Sequence, residues 1–288
     1  MTHHIVCATD ANCVPPFAAL LQSLKLSNRE LDFVVHLLHA ELPRDMRSRL
    51  ADFADRIAID LRWTPVDAPR LFELERRFLE RSPKHLAAPA FFRCLIGELL
   101  PETINRVLYL DTDVINLRPL APLLELDLQG KTAAAGRSTA TGHLDMFGLV
   151  DADYFNSGVM LIDLNTWRRD DIGQRTIEFL FEHVERCRSW DQCALNVVLK
   201  DLVLPLGPEW NYFESLMQDV PLIHPAIVHY VGPNKPWDDP TQQAFGAYYC
   251  NASQSTPWPT DYRLRKPPKT ASKIRRRINK VGRALANF

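Results

Sequence analysis

Asp111 and Asp113 stand one residue apart at the end of the apolar run Val107–Leu110, in the stretch VLYLDTDVI. Side chains alternate along an extended chain, so the two carboxylates fall on one side and Thr112 on the other. Two hard oxygen ligands at a strand end make half of a divalent-cation site, and such a cation can hold a phosphate-bearing substrate. The same Asp-x-Asp can also be a plain polar turn. A second apolar run, Ala226-Ile-Val, ends in His229 and leads into Tyr230-Val-Gly-Pro-Asn-Lys235. Gly232 permits close backbone approach and Lys235 supplies a positive charge, which suits a phosphate. A histidine with two carboxylates fits manganese better than magnesium, because imidazole is softer than oxygen; Mg2+ is the alternative. Taken alone, His229 also reads as a structural strand-end residue.

Further motifs come in a set order: Ala8-Thr-Asp10-Ala-Asn12, Phe92-Arg93, Leu110-Asp-Thr-Asp113, Tyr154-Phe-Asn156-Ser157-Gly158, Trp190-Asp191-Gln192, Trp210-Asn-Tyr212 and His229 through Trp237. In number and order they resemble glycosyltransferase family 8, in its bacterial lipopolysaccharide galactosyl- and glucosyltransferase branch. The resemblance runs from Ile5 to about Trp237 and continues more weakly into the tail. It implies a GT-A, Rossmann-like nucleotide-sugar-binding fold and a UDP-galactose or UDP-glucose donor. It also implies transfer with retention to a glycan or glycolipid acceptor, such as a lipopolysaccharide or lipooligosaccharide core.

The resemblance assigns roles residue by residue. Asp111, Asp113 and His229 would hold Mn2+, and Ala8, Asp10 and Asn12 would meet the nucleoside. Arg93, Thr112, Asn156, Ser157 and Gly158 would line the donor, with Gly232 and Lys235 on its diphosphate. Gln192 matches the position near the anomeric carbon, yet an amide is a poor nucleophile. Asp191 is therefore a second catalytic candidate, besides contacting a donor-sugar hydroxyl. Front-side displacement and a covalent intermediate both stay open. The family often has an aromatic residue after the Asn of the first motif, where this chain has Cys13.

Each assignment has a structural competitor. Asp10 and Asn12 read as helix caps, Arg93 as a salt-bridged structural arginine, and Asn156-Ser157-Gly158 as a strand-entry turn. A buried Asn156 has hydrogen bonds that sugar hydroxyls would meet, and Gly158 lets backbone approach a sugar or phosphate. A phosphotransferase of the haloacid dehalogenase type would use Asp111 as nucleophile, but that class continues Gly-Thr where this chain has Val114-Ile115. A non-enzymatic sugar-nucleotide-binding protein is the other rival.

The elements that must position these residues alternate in type. Strands are expected at Ile5–Ala8, Asp32–Leu38, Ala58–Trp63, Val107–Leu110 and Tyr154–Asp163. Helices are expected around Phe17–Leu24, Arg44–Phe53, Phe91–Leu99, Ile177–Val184 and Cys193–Leu199. This alternation predicts an α/β, doubly wound, mostly parallel sheet. Residues 66–90, with Pro69, Pro83 and Pro89, read as a loop-rich excursion, and the Gly-, Ser- and Thr-rich stretch after Ala135, through Phe147, as a mobile one.

The 288 residues, 46% hydrophobic and 24% charged, allow one large domain, expected over residues 1–256. Six cysteines with no metal-site spacing, three of them in apolar elements, point to free thiols in a reducing compartment. Neither a secretory signal nor an 18-residue apolar run is visible. The formal charge of −1 conceals an asymmetry: from Arg263 onward there are ten Lys or Arg and no acid, leaving −11 on residues 1–262. Residues 257–288 are expected to form a Pro-containing linker and a basic helix with Ile274, Ile278, Val281 and Leu285 on one face. About 14 helical residues extend only about 21 Å, too short to span, so the tail is expected to lie on an anionic membrane surface. That places the protein in the cytoplasm, peripherally on the inner face of the membrane. Few interleaved aromatics argue against a nucleic-acid partner.

Overall fold

A computed structural model of the chain describes residues 2–81, 88–139, 147–149, 154–217, 220 and 224–260. The expected tail helix and most of the Gly-, Ser- and Thr-rich stretch lie outside the described residues.

Strand β1 (His3–Thr9) buries alternate side chains on both faces: Ile5 and Cys7 enter one core, Val6 and Ala8 the other. This two-sided burial is why the run is continuously apolar. Helix α1 (Val14–Ser27) carries prolines in its first turn, where a missing N–H leaves no bond unmade, and packs Phe17, Leu20, Leu21 and Leu24 against the sheet. Then come β2 (Phe33–His39), α2 (Arg44–Arg56) and β3 (Asp60–Pro65).

Residues 66–90 depart from the expected loop. Pro69 opens α3 (Pro69–Arg81), whose Leu71, Leu74 and Phe78 are buried at helical spacing while Glu73–Arg77 and Arg76–Glu80 pair along its outer face. Proline at a first helical position begins a helix rather than breaking one, and the i,i+4 ion pairs add support. The expected helix at Phe91–Leu99 is segmented into α4 (Pro89–Phe92), a 3₁₀ turn (Arg93–Leu95) and α5 (Ile96–Leu99).

The chain continues through β4 (Arg106–Leu110), β5 (Val114–Asn116), α6 (Ala121–Leu124), β6 (Ala133–Arg137) and β7 (Phe155–Asp163). It ends with α7 (Leu164–Arg169), α8 (Ile172–His183), α9 (Trp190–Val198), β8 (Val203–Leu206), β9 (Ile227–His229) and α10 (Gly246–Ser253). Among the described residues seven strands form one sheet in the order β3-β2-β1-β4-β7-β6-β8, parallel except that β7 runs against both β4 and β6. Strand order reverses between β1 and β4, so a crevice opens beyond their carboxyl ends, where ligands bind in open α/β sheets. A second, two-stranded sheet pairs β5 antiparallel to β9, with Val114 opposite His229.

Beyond residue 256, Arg49 donates to the Pro257 carbonyl and stacks over Trp258, and the Thr260 N–H donates to Ser253 Oγ, so residues 257–260 pack on the body. All six cysteines are free thiols. Among the described residues no helix is long and apolar enough to cross a membrane.

Candidate active site

The pairing of β5 with β9 decides the site, because it sets a strand end of the second sheet beside a strand end of the first. Asp111 follows β4, and its N–H donates to Gly158 O at 2.8 Å; Tyr230 N–H donates to Asp113 O at 2.9 Å. Nε2 of buried His229 consequently lies 3.2 Å from Asp113 Oδ1 and 3.8 Å from Asp111 Oδ2.

The other carboxylate oxygens are occupied. Asp111 Oδ1 accepts from Arg93 Nη2 at 2.8 Å and from the Tyr109 hydroxyl at 3.0 Å. Asp113 Oδ2 accepts from Lys235 Nζ at 2.6 Å, and the same ammonium donates to Tyr230 O at 2.7 Å. Burial alone would push the Asp113 carboxyl up, but Lys235 and His229 outweigh it and hold it well below the usual carboxylate range.

These residues fit a divalent cation. Two carboxylate oxygens and one imidazole nitrogen lie within 4.8 Å of one another and come from two strand ends. Space for them is built into β7: a Cβ on Gly158 would sit 2.2 Å from His229 Cε1 and 2.6 Å from Asp111 Oδ2. The missing side chain of Gly158 thus makes room for the ligands. Its N–H donates to Asn156 Oδ1 and its carbonyl accepts from Asp111 N–H.

Arg93 is buried in the turn after α4, where its guanidinium lies over the Tyr109 ring at 4.4 Å and donates to Ser157 O and Ala90 O. Its Nε is 3.0 Å from Asp191 Oδ2, but the Nε–H points at Ala90 O, so that contact is an ion pair without a hydrogen bond and leaves Oδ2 without a hydrogen-bond donor. Burial pushes the Asp191 carboxyl up to about 6 despite Arg93, with Asp111 adding to the rise. The salt-bridged reading of Arg93 therefore describes its contacts, and those contacts lie inside the site.

Asp191 and Gln192 open α9, which begins at Trp190 with a left-handed φ of 48°. Gln192 Oε1 accepts from Asn156 Nδ2 at 3.1 Å and from Ser157 N–H at 3.2 Å, and the Tyr154 hydroxyl also bonds the Gln192 side chain. The Asn156 oxygen accepts from Gly158 N–H and Asn211 Nδ2, and one of its two amide N–H groups donates to Gln192 Oε1.

Asp10 caps the short 3₁₀ turn Ala11–Cys13, accepting from Cys13 N–H at 3.0 Å, with Asn12 Nδ2 at 3.5 Å. Both residues, and Ala8 at the end of β1, border the crevice at the strand-order reversal. Thr112 turns from the cation site and hydrogen-bonds the Cys13 thiol, whose ionisation is pushed up to about 12 by burial and by Asp10 and Asp113. Gly232 adopts φ 94° in the loop to Lys235, a conformation that side chains disfavour. Tyr109 and Asn211 received no functional role from sequence. Tyr109 reads only as a strand residue, and the one signal for Asn211 is its place between Trp210 and Tyr212.

Comparison with known proteins places this geometry. The family described as "Glycosyl transferase family 8" matches residues 4–241. General stress protein A of Bacillus subtilis (strain 168) is 27% identical over 277 residues, covering 89% of this chain and 95% of that protein. Lipopolysaccharide 1,3-galactosyltransferase of Salmonella typhimurium (strain LT2) is 27% identical over 274 residues, covering 88% and 79%. The crystal structure of galactosyltransferase LgtC in complex with donor and acceptor sugar analogs superposes with a TM-score of 0.77 at 22% identity, covering 96% of this chain and 99% of that one. The two thus share the GT-A fold. With the family match spanning most of its length, the chain belongs to glycosyl transferase family 8.

Proposed function

We propose that the protein is a metal-dependent hexosyltransferase that moves galactose or glucose from a UDP-sugar to a saccharide acceptor with retention at the anomeric carbon. The observation that carries this reading is the convergence of Asp111 Oδ2, Asp113 Oδ1 and His229 Nε2 at the strand-order reversal, with Lys235 beside them. A Mn2+ ion held there would act as a Lewis acid, offsetting negative charge on the departing diphosphate. Lys235 sits in the loop after Gly232, close enough to the carboxylates to add its charge to the same phosphates. Asp10 and Asn12 would take the uracil and ribose, with Cys13 in place of a stacking ring.

Asp191 and Gln192 lie where the transferred sugar would sit, across Arg93 from Asp111. The Gln192 oxygen already accepts two hydrogen bonds, which weakens it further as a nucleophile and favours front-side displacement. Asp191, buried and with one oxygen lacking a hydrogen-bond donor, would accept from a sugar hydroxyl. The similarity to a lipopolysaccharide galactosyltransferase supports a lipopolysaccharide or lipooligosaccharide core as acceptor. The ten basic residues after Asp261 would hold the enzyme on the anionic inner face of the membrane.

The test is a panel of UDP-sugars incubated with enzyme and Mn2+, followed by acceptor trials with truncated lipopolysaccharide cores. Release of UDP from UDP-galactose or UDP-glucose, abolished by chelator, is expected. Binding of UDP-sugar without any turnover would move the protein to the non-enzymatic class.

A further inference from the structure

One buried hydrogen-bond chain runs from the backbone of β7 to His229, and its polarity can be read from its backbone end. The main-chain N–H groups of Ser157 and Gly158 can only donate. Gln192 Oε1 takes the first at 3.2 Å and Asn156 Oδ1 the second at 3.0 Å. With its oxygen so fixed, Asn156 turns Nδ2 toward Gln192 Oε1. Asn211 must then offer Nδ2 to Asn156 Oδ1, at 2.8 Å, because the reversed amide would set two oxygens against each other. Asn211 Oδ1 is left 3.0 Å from His229 Nδ1, an acceptor that only Nδ1–H can satisfy. A neutral imidazole with its proton on Nδ1 carries its lone pair on Nε2, the atom that faces Asp111 and Asp113.

We propose that Asn211 is a positioning residue for the cation site, fixing the tautomer and ring orientation of His229 through a chain anchored in β7; the inference rests on the reading of His229 as a metal ligand. Two packing features hold Asn211 in place. It is 1% exposed, and a Cβ on Gly136 of β6 would come within 3.1 Å of Asn211 Cβ, so β6 leaves room for it. Phe213 sets its ring edge-on to His229, which limits rotation of the imidazole. The same chain continues through Asn156 to Gln192, so a displaced His229 would also disturb the amide beside the transferred sugar.

The decisive measurement uses metal-free wild-type protein labelled with 15N-histidine, with the His229 signals identified by their loss in His229→Gln. The expected result is a ring that carries a proton on Nδ1, with or without a second proton on Nε2; a ring protonated on Nε2 alone overturns the proposal whether or not a metal binds. Titration with Mn2+ alone then separates the roles. Asn211→Leu should weaken Mn2+ binding by about 10- to 100-fold, the usual range for partners of metal-bound histidines. Asn211→Asp keeps the acceptor toward His229 but loses the donor to Asn156 Oδ1, so it should bind more weakly than wild type and more tightly than Asn211→Leu. Equal affinities for wild type and Asn211→Leu, or a loss in Asn211→Asp as large as in Asn211→Leu, would overturn the assignment. Failure of the wild type to bind Mn2+ would instead refute the metal reading, and the tautomer would still decide for or against Asn211.

Discussion

Lys235 Nζ lies 2.6 Å from Asp113 Oδ2, while the other oxygen of the same carboxylate faces His229. An ammonium so placed opposes a second cation on Asp113, yet it is the charge nearest to any phosphate bound there. Lys235→Gln is therefore expected to act in opposite directions on two ligands. Binding of Mn2+ without nucleotide should tighten severalfold. Affinity for UDP in the presence of Mn2+ should fall by roughly 10- to 100-fold, matching about 1.5–3 kcal/mol for a hydrogen bond to a charged group. Calorimetry with each ligand checks both signs, and a parallel fall in both would show that Lys235 supports the site only by packing.

Gly158→Ala is expected to abolish Mn2+ binding while leaving the protein folded. The added methyl would press on His229 and Asp111, and overpacking of this kind costs about 1–3 kcal/mol. Urea unfolding reads the stability and a Mn2+ titration reads the site. Wild-type metal affinity in this variant would mean that the ligands do not sit over β7.

Buried Arg93 joins buried Asp191 and half-buried Asp111 in a charge triad. Arg93→Leu leaves two carboxylates without their cation and should destabilise the fold by about 3–5 kcal/mol, besides eliminating turnover. Arg93→Lys should rescue neither fully, because one ammonium cannot match the directions of the guanidinium contacts. Denaturant midpoints of both variants test this.

Asp191 predicts a pH dependence of definite sign. Its folded carboxyl titrates near 6, against an ordinary value of 3.8. Between these values the folded protein binds the proton and the unfolded chain has released it, so the contribution of Asp191 is fully present below about pH 4 and is lost as pH rises through 6. The loss amounts to roughly 3 kcal/mol. Stability curves of wild type and Asp191→Asn should separate across this window, the wild type losing more as pH rises. Parallel curves would place the Asp191 titration at its ordinary value.

A chain ending near Asp261 should stay soluble and still turn over UDP-sugar, since it keeps the contacts of Pro257, Trp258 and Thr260 with the body. It should no longer sediment with vesicles rich in anionic lipid, whereas the full-length protein should do so and be released only partly by high salt, because screening removes charge attraction and leaves the apolar term. Full-length protein that ignores such vesicles at low salt would return the tail to its own acidic body.

Much of this protein is decided by local sequence. Continuous apolar runs bounded by helical periodicity determine a sheet buried on both faces, and the apolar-to-acidic change at Leu110–Asp111 marks where a strand end meets solvent. The carboxylate pair, His229 and the Gly232–Lys235 loop could be named because their chemistry lies in residue type and short spacing. Proline misled at residues 66–90, since whether Pro69 breaks a helix or begins one depends on the burial of Leu71, Leu74 and Phe78, which is a tertiary fact. The partners of Gly158 and Asn156 were equally invisible. A glycine in a strand carries no sign of what will lie over it, and an amide carries no sign of whether protein or sugar will meet its hydrogen bonds. Only the pairing of β5 with β9, joining positions more than a hundred residues apart, brings His229 to Asp111 and Asp113 and sets Asn211 behind it. Long-range strand pairing depends on the whole hydrophobic pattern and on connections closed elsewhere in the chain; no short window contains that information.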